Sequence, residues 1–134
     1  MRLTIFGLLF LILSQVQAKT AQLPQCTAKM ETVSMILCMD DDIKEFEDLK
    51  DFVMTRIYSR IEFKYAKKDP ARAKNLKAKI NKYAKSWESY RTSYCDLESI
   101  HVSDEDTRAQ LIKDCLISIT KSRIEELRLL QINI

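Results

Sequence analysis

The near absence of glycine and proline is the feature that most limits what this chain can fold into. The 134 residues include one glycine and two prolines, which leaves almost no material for the tight turns that join β-strands. The chain is instead rich in Lys, Glu, Leu, Ile, Asp and Arg, a composition that favours long helices joined by short polar connections. We therefore expect an all-α protein.

The first long helix is predicted from apolar residues that recur at three- and four-residue steps between Ile43 and Ile61. Three consecutive aspartates at residues 40–42 are expected to form its N-cap, since the positive end of a helix dipole favours carboxylates. The helix is expected to end near Lys67 and Lys68. A short separate helix is predicted ahead of it, over residues 27–38.

The second helix is predicted to begin at Asp69 and Pro70, because Asp can cap a helix and Pro fits the first helical position. Its apolar stripe has the alternating four- and three-residue steps of a coiled-coil seam. We interpret this stripe as core and not as an aromatic ligand-binding site. It consists of Leu76, Ile80, Tyr83, Trp87, Tyr90, Tyr94 and Leu97.

The third helix is predicted to begin with a capping box formed by Ser103 and Asp106. Its inner face is expected to contain Leu111, Ile112, Cys115, Ile119, Leu127 and Leu130. The resulting fold class is a three-helix up-down-up bundle with a short N-terminal helical segment laid across it.

The N-terminal residues predict export. Arg2 precedes an apolar run at residues 3–13, and Val16-Gln17-Ala18 ends in the pattern that signal peptidase cleaves. The apolar run would span about 16 Å as a helix, too little for a bilayer. We therefore predict a signal peptide at residues 1–18, a single mature domain at 19–134 without a transmembrane anchor, and a periplasmic or secreted location. Lipidation of Cys26 is not expected, because Gln25 precedes it.

All four cysteines lie in the predicted mature chain: Cys26, Cys38, Cys95 and Cys115. An even number in a small exported protein favours two disulfides. A zinc site is the alternative, but the chain has no C-x-x-C pair and His101 is its only histidine. We expect neither a metal nor a cofactor. We also expect no enzymatic activity, because there is no glycine-rich phosphate loop and His101 has no catalytic partner in a motif.

Charge is distributed in blocks. Residues 40–51 contain seven acids and two lysines, whereas residues 56–91 contain twelve bases and three acids. The basic block is typical of nucleic-acid binding, of attachment to anionic lipid or envelope polymers, or of a solvated helix face. The solvated face is the favoured interpretation, and predicted export argues against nucleic acid.

Two ordered motifs lie in the last third of the chain. Trp87, Tyr90, Arg91 and Cys95 form a W-x-x-Y-R-x-x-x-C element, which precedes a C-x-x-x-x-T-x-x-R-x-x-x-L element formed by Cys115, Thr120, Arg123 and Leu127. This pattern resembles the LprI-type lysozyme-inhibitor domains of the bacterial envelope, and the resemblance covers about residues 26–130. Together with sequence proximity, it implies the disulfides Cys26–Cys38 and Cys95–Cys115. We expect Arg91 and Arg123 to act as structural struts, pairing with carboxylates or helix carbonyls.

The resemblance also implies inhibition of host lysozyme by occlusion of its glycan-binding cleft. Animal lysozymes of the common type are strongly basic, so the acidic block is the expected contact region. Its candidate partner-binding residues are Asp40, Asp41, Asp42 and Glu45, joined by Glu47, Asp48 and Asp51. The alternative is a non-inhibitory periplasmic protein with a structural or stress-tolerance role. The sequence does not define the oligomeric state.

Overall fold

The protein is a bundle of three long helices. The computed structural model describes Cys26 and residues 31–134, so the predicted signal peptide lies outside the described residues. The helices are α1 (Thr32–Tyr65), α2 (Pro70–Glu98) and α3 (Glu105–Asn133). Short connections make consecutive helices antiparallel and place the starts of α1 and α3 at the same end. The prediction of an all-α, up-down-up bundle is confirmed.

Helix α1 runs without a break through the region where a boundary was predicted. It begins after Glu31, whose side chain makes no capping hydrogen bond. The aspartates at residues 40–42 lie within the helix, so the prediction that they form an N-cap after a separate short helix is wrong. No glycine or proline interrupts residues 32–65. Backbone hydrogen bonding therefore continues through the aspartates, whose side chains are not required as caps.

Helices α2 and α3 both begin at an aspartate cap. Asp69 accepts a hydrogen bond from the Arg72 backbone N–H at 2.9 Å, and Pro70 occupies the first turn as predicted. In α3 the cap is Asp104, which accepts from the Thr107 backbone N–H at 2.8 Å. The predicted capping box that starts at Ser103 is therefore wrong by one residue, because the neighbouring aspartate supplies the acceptor.

The apolar core lies towards the end of the bundle where α1 meets α2. Helices α1 and α3 pack most extensively against each other, and α2 covers one side of them. Ile57 and Ile61 are fully buried, and Leu127 of α3 is nearly so. The buried cluster consists of Phe46, Val53, Ile57, Ile61, Ala73, Ile80, Ile124 and Leu127.

Two disulfides join the chain at the other end of the bundle. Cys95 near the end of α2 bonds to Cys115 of α3, with Cα atoms 5.6 Å apart, and Cys26 bonds to Cys38 of α1, with Cα atoms 5.9 Å apart. The predicted pairing is confirmed. Each crosslink restricts the conformations of the unfolded chain, and in the chain-entropy model this stabilises the fold by about 3 kcal/mol.

Within the described residues, no helix combines the length and the apolar character that a bilayer crossing requires.

Candidate functional site

The two sequence motifs meet in space around Arg91, on the inner side of α2. Its Nη1 group donates a hydrogen bond to Glu47 of α1 and another to Thr120 Oγ1 of α3 at 3.1 Å. Its Nη2 lies 3.1 Å from Glu88 Oε2. Thr120 is itself buried and donates to the Leu116 carbonyl at 2.6 Å. Arg91 therefore links all three helices, as expected of a structural strut.

Lys50 extends this network along α1. The ammonium group bonds to Glu88 of α2 and lies 3.2 Å from Glu47 Oε2. Burial lowers the pKa of Lys50, but the bonds to Glu88 and Glu47 outweigh that effect and hold the pKa above its usual value. Burial likewise raises the pKa of Glu47, and the bonds from Arg91 and Lys50 reverse the shift, so its pKa is lowered. Glu47 and Lys50 therefore each stabilise the charged form of the other.

Arg123 is the most enclosed cation among the described residues, with 2% of its surface exposed. Its guanidinium lies 3.8 Å from the ring centre of Tyr83 and 5.4 Å from that of Trp87. Its Nη1 group donates to Glu126 at 3.1 Å. A buried cation needs a charged partner and benefits from aromatic faces. The geometry again matches the expected structural role.

Trp87 is only half-buried, which differs from the predicted position in the core. Lys50, Arg91 and Arg123 lie 5.1–5.4 Å from its ring centre. The indole is thus an aromatic platform for three cations at the junction of the helices. Its contacts are as much electrostatic as apolar.

The remainder of the predicted α2 stripe is mostly exposed. Tyr90 is 54% exposed and stacks against Tyr94, with ring centres 5.5 Å apart. The interpretation of this part as core is wrong. Arg91, Cys95 and Ser99 take the inward position instead, because the ion network and the disulfide hold that side of α2 against its neighbours. The exposed members of the stripe are Tyr83, Tyr90, Tyr94 and Leu97.

The structure divides the predicted acidic contact region by environment. Asp41 and Asp48 are exposed, Glu45 is half-buried, and none of the three forms a salt bridge with any described residue. Asp40 pairs with Lys113 of α3. Asp42 is buried at 8% exposure and is not accessible to a partner.

Asp42 lies against the Cys26–Cys38 disulfide. Its Oδ2 atom is 3.4 Å from Cys26 Sγ, but a disulfide sulfur carries no proton, so this approach is a contact and not a hydrogen bond. Its Oδ1 atom has no hydrogen-bond partner within the described part of the chain. Burial raises the pKa of Asp42, Lys121 opposes the shift, and Asp41 adds to it. Although Cys26, Cys38 and Asp42 are close enough to share a metal ion, the oxidised cysteines offer no thiolate ligand.

Charge separates the bundle into two parts. We call residues 31–51 and 87–120 the disulfide half, and residues 52–86 and 121–134 the apolar half. The disulfide half contains fifteen acids and five bases, a net charge of −10, whereas the apolar half contains fourteen bases and four acids, a net charge of +10. The sequence predicted an acidic contact region on α1 alone. The topology adds the start of α3, where Asp104, Glu105 and Asp106 lie at the same end as the start of α1.

The chain is similar to a known protein family over most of its length. Curated proteins and solved structures both yielded no match to this chain. A family model described as "Lysozyme inhibitor LprI" matches residues 24–127. The matched range includes the four cysteines and the Arg91–Thr120 contact between the two motifs. Because the match extends over well more than half of its length, the chain belongs to the LprI lysozyme-inhibitor family.

Proposed function

We propose that this protein is a non-enzymatic inhibitor that binds lysozyme and occludes its substrate cleft. The observation that carries the proposal is membership of a family described as lysozyme inhibitors. The buried motif residues support a structural and not a catalytic role, because Arg91 and Arg123 are engaged with carboxylates of the chain itself. Inhibition therefore depends on a surface that this network holds in place.

The disulfide half is the surface that best fits a basic enzyme. Asp41, Glu45 and Asp48 follow each other at four- and three-residue steps, so they share one face of α1. The two aspartates are exposed and have no cationic partner among the described residues. Complementary charge accelerates encounter with a basic partner, even when the net charge of the whole chain is small.

Asp40 and Asp42 are less suited to this contact than the sequence indicated. Asp40 is already paired with Lys113. Asp42 would have to leave its buried position beside the disulfide to reach a partner. We therefore centre the proposed contact on Asp41, Glu45 and Asp48, one face of α1 in the disulfide half.

The proposed place of action is the periplasm or the exterior of the cell. Two disulfides are typical of proteins that fold in oxidising compartments. The predicted signal peptide at residues 1–18 agrees with this location.

A lysozyme turbidity assay on bacterial cell walls tests the proposal. The protein, purified in the form that the host cell produces, should slow lysis. The double variant Asp41→Asn/Asp48→Asn should inhibit roughly tenfold less well at low salt, because rim charges act mainly on the association rate. The matched control is Glu62→Gln/Glu125→Gln, which removes two negative charges from exposed ion pairs of the apolar half and should inhibit like the parent.

Two results would contradict parts of this proposal. Lysis that proceeds unchanged in the presence of the parent protein would reject inhibition and favour the non-inhibitory structural or stress-tolerance role. Strong inhibition that both double variants retain equally would keep the function and reject the acidic contact surface.

A further inference from the structure

The tip of the apolar half carries a dense set of cations that form no salt bridge within the described part of the chain. We call residues 56–74 the basic end; it comprises the last turns of α1, the connection to α2 and the first turns of α2. Both of its acids are occupied, since Glu62 pairs with Lys77 and Asp69 caps α2. Seven bases therefore form no salt bridge within the described part of the chain, although Lys64 donates a hydrogen bond to the Ile134 carbonyl. They are Arg56, Arg60, Lys64, Lys67, Lys68, Arg72 and Lys74.

An aromatic side chain projects from the middle of these cations. Phe63 is 95% exposed, which is unusual for a large apolar residue. It lies on the same face of α1 as Arg56 and Arg60, at steps of four and three residues. Together with Lys64 and the end of α3, these residues line an open groove of about 580 Å³. At this same end of the bundle, Leu129 and Ile132 of α3 are also largely exposed.

We propose that the basic end docks on the surface of an anionic lipid bilayer. The unpaired cations would contact lipid phosphates, and Phe63 would enter the boundary between headgroups and acyl chains. Basic residues combined with exposed apolar ones are the features by which peripheral proteins bind anionic membranes. Docking in this orientation leaves the acidic disulfide half facing away from the membrane, so the proposal is independent of lysozyme inhibition and compatible with it.

The exposed apolar residues favour a bilayer over a soluble polyanion. A phosphate-rich polymer would neutralise the cations but would leave Phe63, Leu129 and Ile132 in water. Nucleic-acid bases could stack on Phe63, but the aliphatic side chains of Leu129 and Ile132 have no aromatic surface to offer. A bilayer interface satisfies both the charged and the apolar groups.

Vesicle co-sedimentation tests the proposal with the protein expressed from the full sequence and purified in the form that the host cell produces. The parent should bind phosphatidylcholine vesicles containing about one-third phosphatidylglycerol far better than pure phosphatidylcholine vesicles, and high salt should weaken binding. The variant Arg60→Gln/Lys67→Gln/Lys68→Gln should bind about a hundredfold less tightly, since each base near the surface contributes about fivefold. The matched control Lys44→Gln/Lys82→Gln/Lys85→Gln has the same net charge but lies outside the basic end, and should bind much like the parent.

Insertion of residue 63 has its own readout. Phe63→Ala should bind anionic vesicles about fivefold less tightly without loss of thermal stability, because the side chain is exposed. In Phe63→Trp, the added fluorescence should shift to the blue when vesicles are present. The proposal is overturned if the two triple variants bind equally, if the Trp emission does not move, or if a single-stranded oligonucleotide binds through the basic end while vesicles do not.

Discussion

The two halves of this bundle are stabilised by different means. In the apolar half, Val53, Ile57 and Ile61 of α1 pack against Ile124 and Leu127 of α3 and exclude water almost completely. In the disulfide half, fewer apolar side chains are buried, namely Met39, Phe46 and the disulfide-bonded Cys95. Two disulfides and the ion network around Arg91 hold that half together instead.

This difference explains how the disulfide half keeps its helices together with few buried apolar side chains. Covalent links restrict the unfolded chain and do not require a large buried apolar area. The motif residues lie at the junction, where Trp87, Arg91 and Arg123 connect the polar interior of one half to the apolar interior of the other.

The largest effect is expected in the apolar half. Ile57→Ala removes a fully buried side chain from the centre of the core and should lower the free energy of unfolding by about 4 kcal/mol. Guanidinium unfolding with the disulfides intact measures this. The control is Phe52→Ala on the exposed side of α1, which should change stability little. Equal losses for both variants would contradict the assignment of the core.

The next largest effect is expected in the disulfide half. Cys95→Ala/Cys115→Ala should cost about 3 kcal/mol, from the loss of the crosslink between α2 and α3. Hydrogen exchange should accelerate mainly at amides of residues 87–120, while amides around Ile57 keep their protection. A uniform loss of protection along the whole chain would mean that the two halves are not separately stabilised.

A smaller effect is expected at the junction. Trp87→Ala should cost about 2–3 kcal/mol, below the roughly 3–5 kcal/mol of a fully buried aromatic, because the indole is half-exposed and its contacts include three cations. Trp87→Phe keeps an aromatic face and should cost less. Thermal unfolding followed by circular dichroism compares the two variants. An unchanged unfolding midpoint for Trp87→Ala would contradict a stabilising role of the indole at the junction.

The smallest effect concerns the buried acid of the disulfide half. Burial raises the folded-state pKa of Asp42 above its ordinary value of 3.8, so ionisation at neutral pH works against folding. That cost disappears as the pH falls through the raised pKa. Asp42→Asn should therefore raise the melting temperature at pH 7, and the gain should vanish near pH 3.

The exposed variant Asp48→Asn is the control for this pH series and should show little change at either pH. The lowered pKa of Glu47 has the opposite sign, because its contribution is present above the unfolded pKa and is lost as pH falls through the folded pKa. That contribution is common to Asp42→Asn and the parent, so their difference isolates Asp42. An identical gain at both pH values would contradict a raised pKa.

Local signals predicted the fold well. The three long helices, the Asp69–Pro70 start of α2 and the pairing of cysteines close in sequence all depend on short stretches of chain or on the family motif. The prediction of a helix start at residues 40–42 was wrong because a good local cap signal competes with uninterrupted backbone hydrogen bonding. The prediction that the whole apolar stripe of α2 faces the core was wrong because Cys95 and Arg91 fix the inward face of α2 through contacts with distant residues.

The candidate site was only partly predictable for the same reason. The acidic residues of α1 were identified from composition, but their separate environments depend on other helices. Asp40 is neutralised by Lys113, which is 73 residues away in sequence. Asp42 is buried by a disulfide, and the negative charge of the α3 start reaches this end only through the up-down-up topology.

We propose that lysozyme binds to the acidic face of the disulfide half. Amide chemical-shift mapping of the isotope-labelled protein with a common-type animal lysozyme tests it most directly. Binding at this face should produce shifts that centre on Asp41, Glu45 and Asp48 and that weaken as salt is added. Shifts confined to residues 56–74, or none at saturating lysozyme, would contradict it.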